Sequence, residues 1–246
     1  MRWQHIRIET ADGVAPARLF EPDANPNKAG VILYMDAFGL RPALDEMAER
    51  LAGEEYTVLV PDLFYRYGEY GPFDAKTAFS NEKTATQLRQ MLGGTTQAMT
   101  IADSGAFIEA LAAHGATGKI GTVGYCMGGA RALNAAAAYP DRITAAASFH
   151  GGNLAGDAED SPHRQAGKLK AKVYVGVAGV DRSFPPEQSA RLAQALREAE
   201  VDHIIENYVG KQHGWAVPDH SVHDVEGAER HWNRLITFFR ETLGEE

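Results

Sequence analysis

The chain has very little cysteine: one thiol, Cys126, in 246 residues. A single thiol cannot close an internal disulfide. That excludes a disulfide-stapled scaffold and makes a reducing, cytoplasmic setting the expectation. Long apolar runs are also missing. None approaches the ~20 residues that a membrane span needs, and residues 1–13, MRWQHIRIETADG, contain no apolar core of the kind a secretory signal carries. No Lys/Arg cluster offsets an acidic balance of 33 Asp and Glu to 24 Lys and Arg. This argues against nucleic acid and anionic membrane surfaces as partners. There is no internal repeat and no linker rich in proline or serine, so residues 1–246 read as one domain.

What is present is a regular alternation. Short apolar runs at 30–35, 56–60, 120–124, 143–149, 171–177 and 203–209 are mostly continuous rather than alternating, as strands covered on both faces are. Residues 3–8 and 14–20 read as an opening antiparallel pair turned by Asp12-Gly13. Between the later runs lie helical patterns at 42–51, 96–114, 129–139, 185–200 and 225–243. The last of these sets Trp232, Leu235, Ile236 and Phe239 at helical spacing. Strand and helix alternation implies α/β architecture with a doubly wound, mostly parallel sheet. The segment 67–95 breaks this rhythm and is either a cap-like excursion over the sheet edge or an ordinary surface helix with long loops.

The lone cysteine stands in Gly121-Thr-Val-Gly-Tyr-Cys126-Met-Gly-Gly-Ala130, straight after one apolar run and straight before an alanine-rich helix. Gly124-x-Cys126-x-Gly128 has the spacing of a nucleophile elbow, a strained strand-to-helix turn that lifts a nucleophile above the sheet. The helix N-terminus beneath it favours a thiolate and an oxyanion. A buried packing cysteine is the bland alternative. Two further residues weigh against it. Asp181 follows the 171–177 run, and His213 follows the 203–209 run, so all three stand at the carboxyl edge of the sheet. They occur in the order nucleophile, acid, base that a hydrolase of this architecture requires. Taken singly, Asp181 could be a turn residue or helix cap, and His213 one of nine histidines.

Met35-Asp-Ala-Phe-Gly-Leu40, Pro61-Asp-Leu-Phe64, Gly124-Tyr-Cys-Met-Gly-Gly129, Ala178-Gly-Val-Asp-Arg182 and His213-Gly-Trp215 together resemble the dienelactone hydrolase family of α/β-hydrolases. The resemblance implies the α/β-hydrolase fold, with Cys126 as nucleophile, His213 as general base and then acid, and Asp181 orienting His213. It implies an oxyanion hole from the backbone N–H groups of Ala37 and Met127, and a small ester or lactone as substrate, with no cofactor. Two departures stand out. The family's common glutamate is replaced by the shorter Asp36, which is either a site residue or a turn residue. The arginine that family members place shortly after the histidine to hold a substrate carboxylate is missing, and Arg66 or Arg182 is a candidate substitute, so a neutral or differently charged ester fits equally well.

Asp36, Phe38, Tyr65 and Trp215 are candidate substrate-binding residues, with plain packing the alternative for the aromatic ones. His150, after the 143–149 run, either touches substrate or satisfies a loop. His220, His223 and His231 lack ligand spacing, and no metal site is expected. The reading is therefore a cytoplasmic Cys-His-Asp hydrolase, a monomer or weak homo-oligomer, working through a thioester acyl-enzyme. The rivals are a small-ligand binding protein or sensor on a hydrolase scaffold, and a redox-sensing thiol. The absence of a resolving cysteine weakens the latter.

Overall fold

Residues 30–34, GVILY, are wholly buried in the middle of the molecule, and they set the pattern for the sheet around them. The computed structural model describes residues 1–244. It contains eight strands: β1 (Arg2–Thr10), β2 (Gly13–Glu21), β3 (Gly30–Tyr34), β4 (Thr57–Pro61), β5 (Ile120–Tyr125), β6 (Ile143–Phe149), β7 (Lys172–Val180) and β8 (His203–Gln212). They form one sheet in the order β1-β2-β4-β3-β5-β6-β7-β8. β2 pairs antiparallel with both β1 and β4, and every other pairing is parallel. The doubly wound sheet with an antiparallel N-terminal pair thus follows the sequence expectation. The carboxyl ends of β3 to β8 share one edge.

Among the described residues there are six α-helices, α1 (Pro42–Gly53), α2 (Glu82–Gly94), α3 (Gln97–Ala113), α4 (Met127–Ala138), α5 (Pro186–Glu198) and α6 (Val225–Leu243), with short 3-10 turns at Tyr65–Tyr67 and Pro162–Lys168. They cover both faces of the sheet. A Cβ on Gly30 of β3 would meet Leu111 of α3, and one on Gly121 of β5 would meet Leu243 and Phe239 of α6. Val31 and Gly121 are register partners, so Gly30 and Gly121 point to opposite faces and α3 and α6 lie on opposite sides. α1 joins the α6 side through the Arg50–Glu229 pair.

Two departures from the sequence reading bear on the site. α4 begins at Met127 rather than Gly129, directly after the cysteine, because the elbow has no linker residues. Within 67–95 the chain forms α2, capped by the Asn81 side chain accepting from Thr84 N–H. Only Ala85, Leu88 and Met91 of α2 are buried, so its apolar stripe is too thin to show clearly in the sequence.

Candidate active site

The turn after β5 is tightly closed. Cys126 caps α4 at φ 55°, ψ −117°, in the left-handed half of backbone space. This is a strained conformation for a side-chain-bearing residue. The surrounding glycines are required by contact. A Cβ on Gly124 would fall 1.9 Å from the Gly128 carbonyl oxygen, and a Cβ on Gly128 2.3 Å from that of Tyr34. Strand, turn and helix therefore close on each other only where neither residue has a side chain. The Cys126 N–H is shared between the Phe149 carbonyl and Nδ1 of His150, each at 3.2 Å.

His213 follows β8 directly and Asp181 follows β7 directly, so adjacent parallel strands deliver them side by side. Nδ1–H of His213 donates to Oδ2 of Asp181 at 2.7 Å. The other oxygen, Oδ1, accepts the backbone N–H and hydroxyl of Ser183 at 2.8 and 2.7 Å. Burial works to raise the Asp181 carboxyl, but the His213 and Ser183 bonds outweigh it and hold it below the usual carboxylate range. For His213, burial works to lower the imidazole. The charge and hydrogen bond of the neighbouring Cys126 sulfur, with those of Asp181, push it up to about 10.

Cys126, Met127, Ala37, Phe38 and His213 all line one cavity of about 830 Å³. Its outer wall includes Ala75 and Phe79 from the 67–95 segment, and the Phe79 ring packs edge-on against Phe38 at 5.5 Å. The other candidates lie elsewhere. Trp215 is fully buried, stacked on Tyr208 at 4.6 Å with its edge to His150, and it packs rather than faces the cavity. Tyr65 sits outside the cavity lining, and its hydroxyl bonds Thr10 and Asp103. Arg66 is tied to Asp12 and Asp103, and Arg182 is exposed, outside the lining.

Asp36 is fully buried with its carboxylate saturated. It accepts the Phe38 N–H at 3.0 Å, two Arg41 bonds at 2.7 and 2.8 Å, and Nε2–H of His220 at 2.9 Å. Burial alone would raise its pKa, but His220 and Arg41 bring it down to about 2. Arg41 also grips Asp219, so the loop after β3 and the loop after His213 are latched together. His150 does not line the cavity. It is fully buried at φ 39°, behind Cys126, and burial first, then the neighbouring histidines, keep it neutral. His231 is buried against the Tyr125 hydroxyl. Among the described residues no three His, Cys, Asp or Glu gather as metal ligands, and no helix is long and apolar enough to cross a membrane.

Ser183 and Arg131 escape the sequence reading of the site, His220 is weighed there only as a metal ligand, and His150 takes the loop alternative rather than the substrate one. Arg131 left a faint signal, as the single charged residue in the small-residue helix MGGARALNAAAA. Its side chain is buried in the cavity wall, where desolvation pulls it down to about 10 despite the nearby Asp160.

An eight-stranded sheet of this order, with a strained strand-to-helix turn at its carboxyl edge, defines an α/β hydrolase. A model of the dienelactone hydrolase family matches residues 15–243, and the chain belongs to that family. It is 27% identical over 220 residues to the carboxymethylenebutenolidase of Rhodococcus opacus, covering 87% of this chain and 81% of that protein. A crystal structure from Klebsiella pneumoniae subsp. pneumoniae superposes with a TM-score of 0.83 at 23% identity, covering 98% of both chains. The dienelactone hydrolase of Anabaena variabilis superposes with a TM-score of 0.71 at 16% identity, again over 98% of both.

Proposed function

We propose that the protein hydrolyses a small carboxylic ester or lactone, with Cys126 as nucleophile, His213 as base and then acid, and Asp181 as the group orienting His213. One observation carries the reading. His213, bonded to Asp181 at 2.7 Å, and Cys126, held at φ 55°, line the same cavity. An imidazole pushed up to about 10 by the Cys126 sulfur and Asp181 supplies the proposed step with an acid that is already charged.

The sulfur attacks the carbonyl carbon, and the oxyanion is met by the N–H groups of Met127 and Ala37. Collapse breaks the carbon–oxygen bond, His213 gives its proton to the leaving alkoxide, and a thioester on Cys126 remains. Water, deprotonated by His213, then attacks the thioester and returns thiolate and imidazolium. Asp36 supports this chemistry from outside it. Its bonds to Phe38 N–H, Arg41 and His220 hold the loop carrying Ala37 against the loop following His213. The 67–95 segment serves as a wall over the cavity, which explains why it departs from the strand–helix rhythm. The name of the Rhodococcus opacus relative supports a lactone or an ester as the substrate class.

The test is turnover of a p-nitrophenyl ester. Cys126→Ala is expected to lose essentially all activity and Cys126→Ser to keep a small fraction. Undiminished turnover by the folded alanine variant would end the reading.

A further inference from the structure

Behind the sulfur lies a histidine that the proposed chemistry does not use. His150 directly follows β6, is 1% exposed and sits at φ 39°, in the left-handed region that side-chain-bearing residues rarely adopt. Its Nδ1 accepts the Cys126 N–H at 3.2 Å. An amide N–H only donates, so Nδ1 is the bare nitrogen and Nε2 carries the hydrogen. That Nε2–H is buried and has no hydrogen-bond partner among the described residues. The same ring packs on His213, with centroids 5.1 Å apart, and meets Trp215 at 5.0 Å. His150 therefore holds the backbone of the proposed nucleophile with one nitrogen and lies against the ring of the proposed base.

Packing alone does not ask for an imidazole here. A phenyl ring has a similar shape and buries no unsatisfied donor, which is costly in a closed interior. What an imidazole supplies and a phenyl ring cannot is the lone pair on Nδ1, and that lone pair is spent on Cys126. The bond matters because Cys126 is strained. At φ 55° its turn has to be held by the contacts around it. The Phe149 carbonyl takes the Cys126 N–H from one side and Nδ1 from the other, each at 3.2 Å. His150 is itself fixed by its own N–H, which donates to the Gly176 carbonyl of β7 at 2.9 Å. A strut thus runs from β7 through His150 to the peptide that precedes the sulfur. The acceptor exists only while the ring is neutral, and burial, with His213, His220 and His231 around it, keeps it so.

We propose that His150 is a positioning residue. By accepting the Cys126 N–H while packing on His213, it sets the placement of the sulfur relative to the imidazole. This rests on the hydrolase reading above and adds the group that holds two of the three proposed residues in register, without touching a reacting atom.

The experiment compares wild type with two variants. His150→Phe keeps a ring and loses the acceptor. His150→Asn places an amide oxygen where Nδ1 lies, on a residue that tolerates the left-handed region. With p-nitrophenyl acetate, His150→Phe is expected to lower kcat on the order of 10- to 100-fold with KM changed by less than about twofold, as a misplaced nucleophile does. His150→Asn is expected to recover part of that loss. NMR titration of His213 needs no turnover and keeps this test separate from that of the hydrolase reading. The imidazole lies at about 10 with the sulfur as a main cause. His150→Phe is expected to move it down by roughly one pH unit or more, and His150→Asn by less. Such a shift in a protein that turns over no ester supports the positioning role while sinking the hydrolase reading. A lowered Tm with kcat and the His213 titration both unchanged marks a merely structural histidine and overturns the proposal. An asparagine variant no better than the phenylalanine one overturns it as well. Should neither variant fold, nitrogen NMR of the wild type reads the tautomer directly. A hydrogen on Nε2, with scalar coupling between Nδ1 and the Cys126 amide, supports the strut. A hydrogen on Nδ1, or no such coupling, contradicts it.

Discussion

His213 carries the proton that the proposed chemistry needs. Its imidazole lies at about 10, against an ordinary 6.5, so it stays charged through neutral pH. Because the folded value is raised, its contribution to stability is complete below about pH 6.5 and is lost as pH rises through about 10. The alkaline limb of kcat/KM is therefore expected near pH 10, where the leaving alkoxide loses its proton donor. NMR titration of Cys126→Ala should find the imidazole well below 10, since the sulfur is a main cause of the shift. Asp181→Asn is expected to lower kcat by about 10²-fold or more by releasing Nδ1 from its fixed role, with KM little changed in the same steady-state assay. These three residues were legible in the sequence because each follows an apolar run at one edge and their order is diagnostic. Arg131 and His220 were not. The bond from Arg131 to the Thr95 carbonyl spans 36 residues, and the bond from His220 to Asp36 spans 184 residues.

The elbow and the latch are the elements on which this geometry depends. Gly124→Ala would drive a methyl onto the Gly128 carbonyl at 1.9 Å, a backbone atom with nowhere to go. It should cost ~3 kcal/mol or more, seen as a lowered Tm or loss of soluble protein. In the latch, Asp36 sits at about 2 in the folded chain against an ordinary 3.8. Its folded value is depressed, so roughly 2 kcal/mol of stability is present above about pH 4 and is lost as pH falls through about 2. Asp36→Asn should be less stable than wild type at neutral pH, with the gap in denaturation midpoint closing as pH falls through that window. The central strands β3 to β7 could be read from sequence because parallel strands buried on both faces are uninterrupted apolar runs, whereas β8, read the same way, is a half-exposed edge strand. α2 was readable only as one of two alternatives for 67–95, because just three of its residues face inward. The shorter Asp36 was visible, but not its use. One methylene less leaves it against Arg41 and His220, two side chains from different loops.

The molecule as a whole is held by one sheet between two helical layers, and α6 closes the layer shared with α1. Phe239 is fully buried, meets the Tyr56 ring at 6.0 Å and lies against β5 at Gly121. Phe239→Ala should cost about 3–5 kcal/mol and lower Tm by about 10 °C in thermal unfolding. The amphipathic pattern of α6 was plain in the sequence and its bounds fall at 225–243 as expected. What assembles above that scaffold is a cavity open to substrate, with a sulfur at its floor. The most direct measurement is to mix the protein with p-nitrophenyl acetate, quench in acid within the first turnovers and map the mass of each peptide. A hydroxylamine-labile acetyl group on Cys126 is the predicted result. Full product release with no adduct on Cys126, or with the acetyl group on another residue, would contradict it.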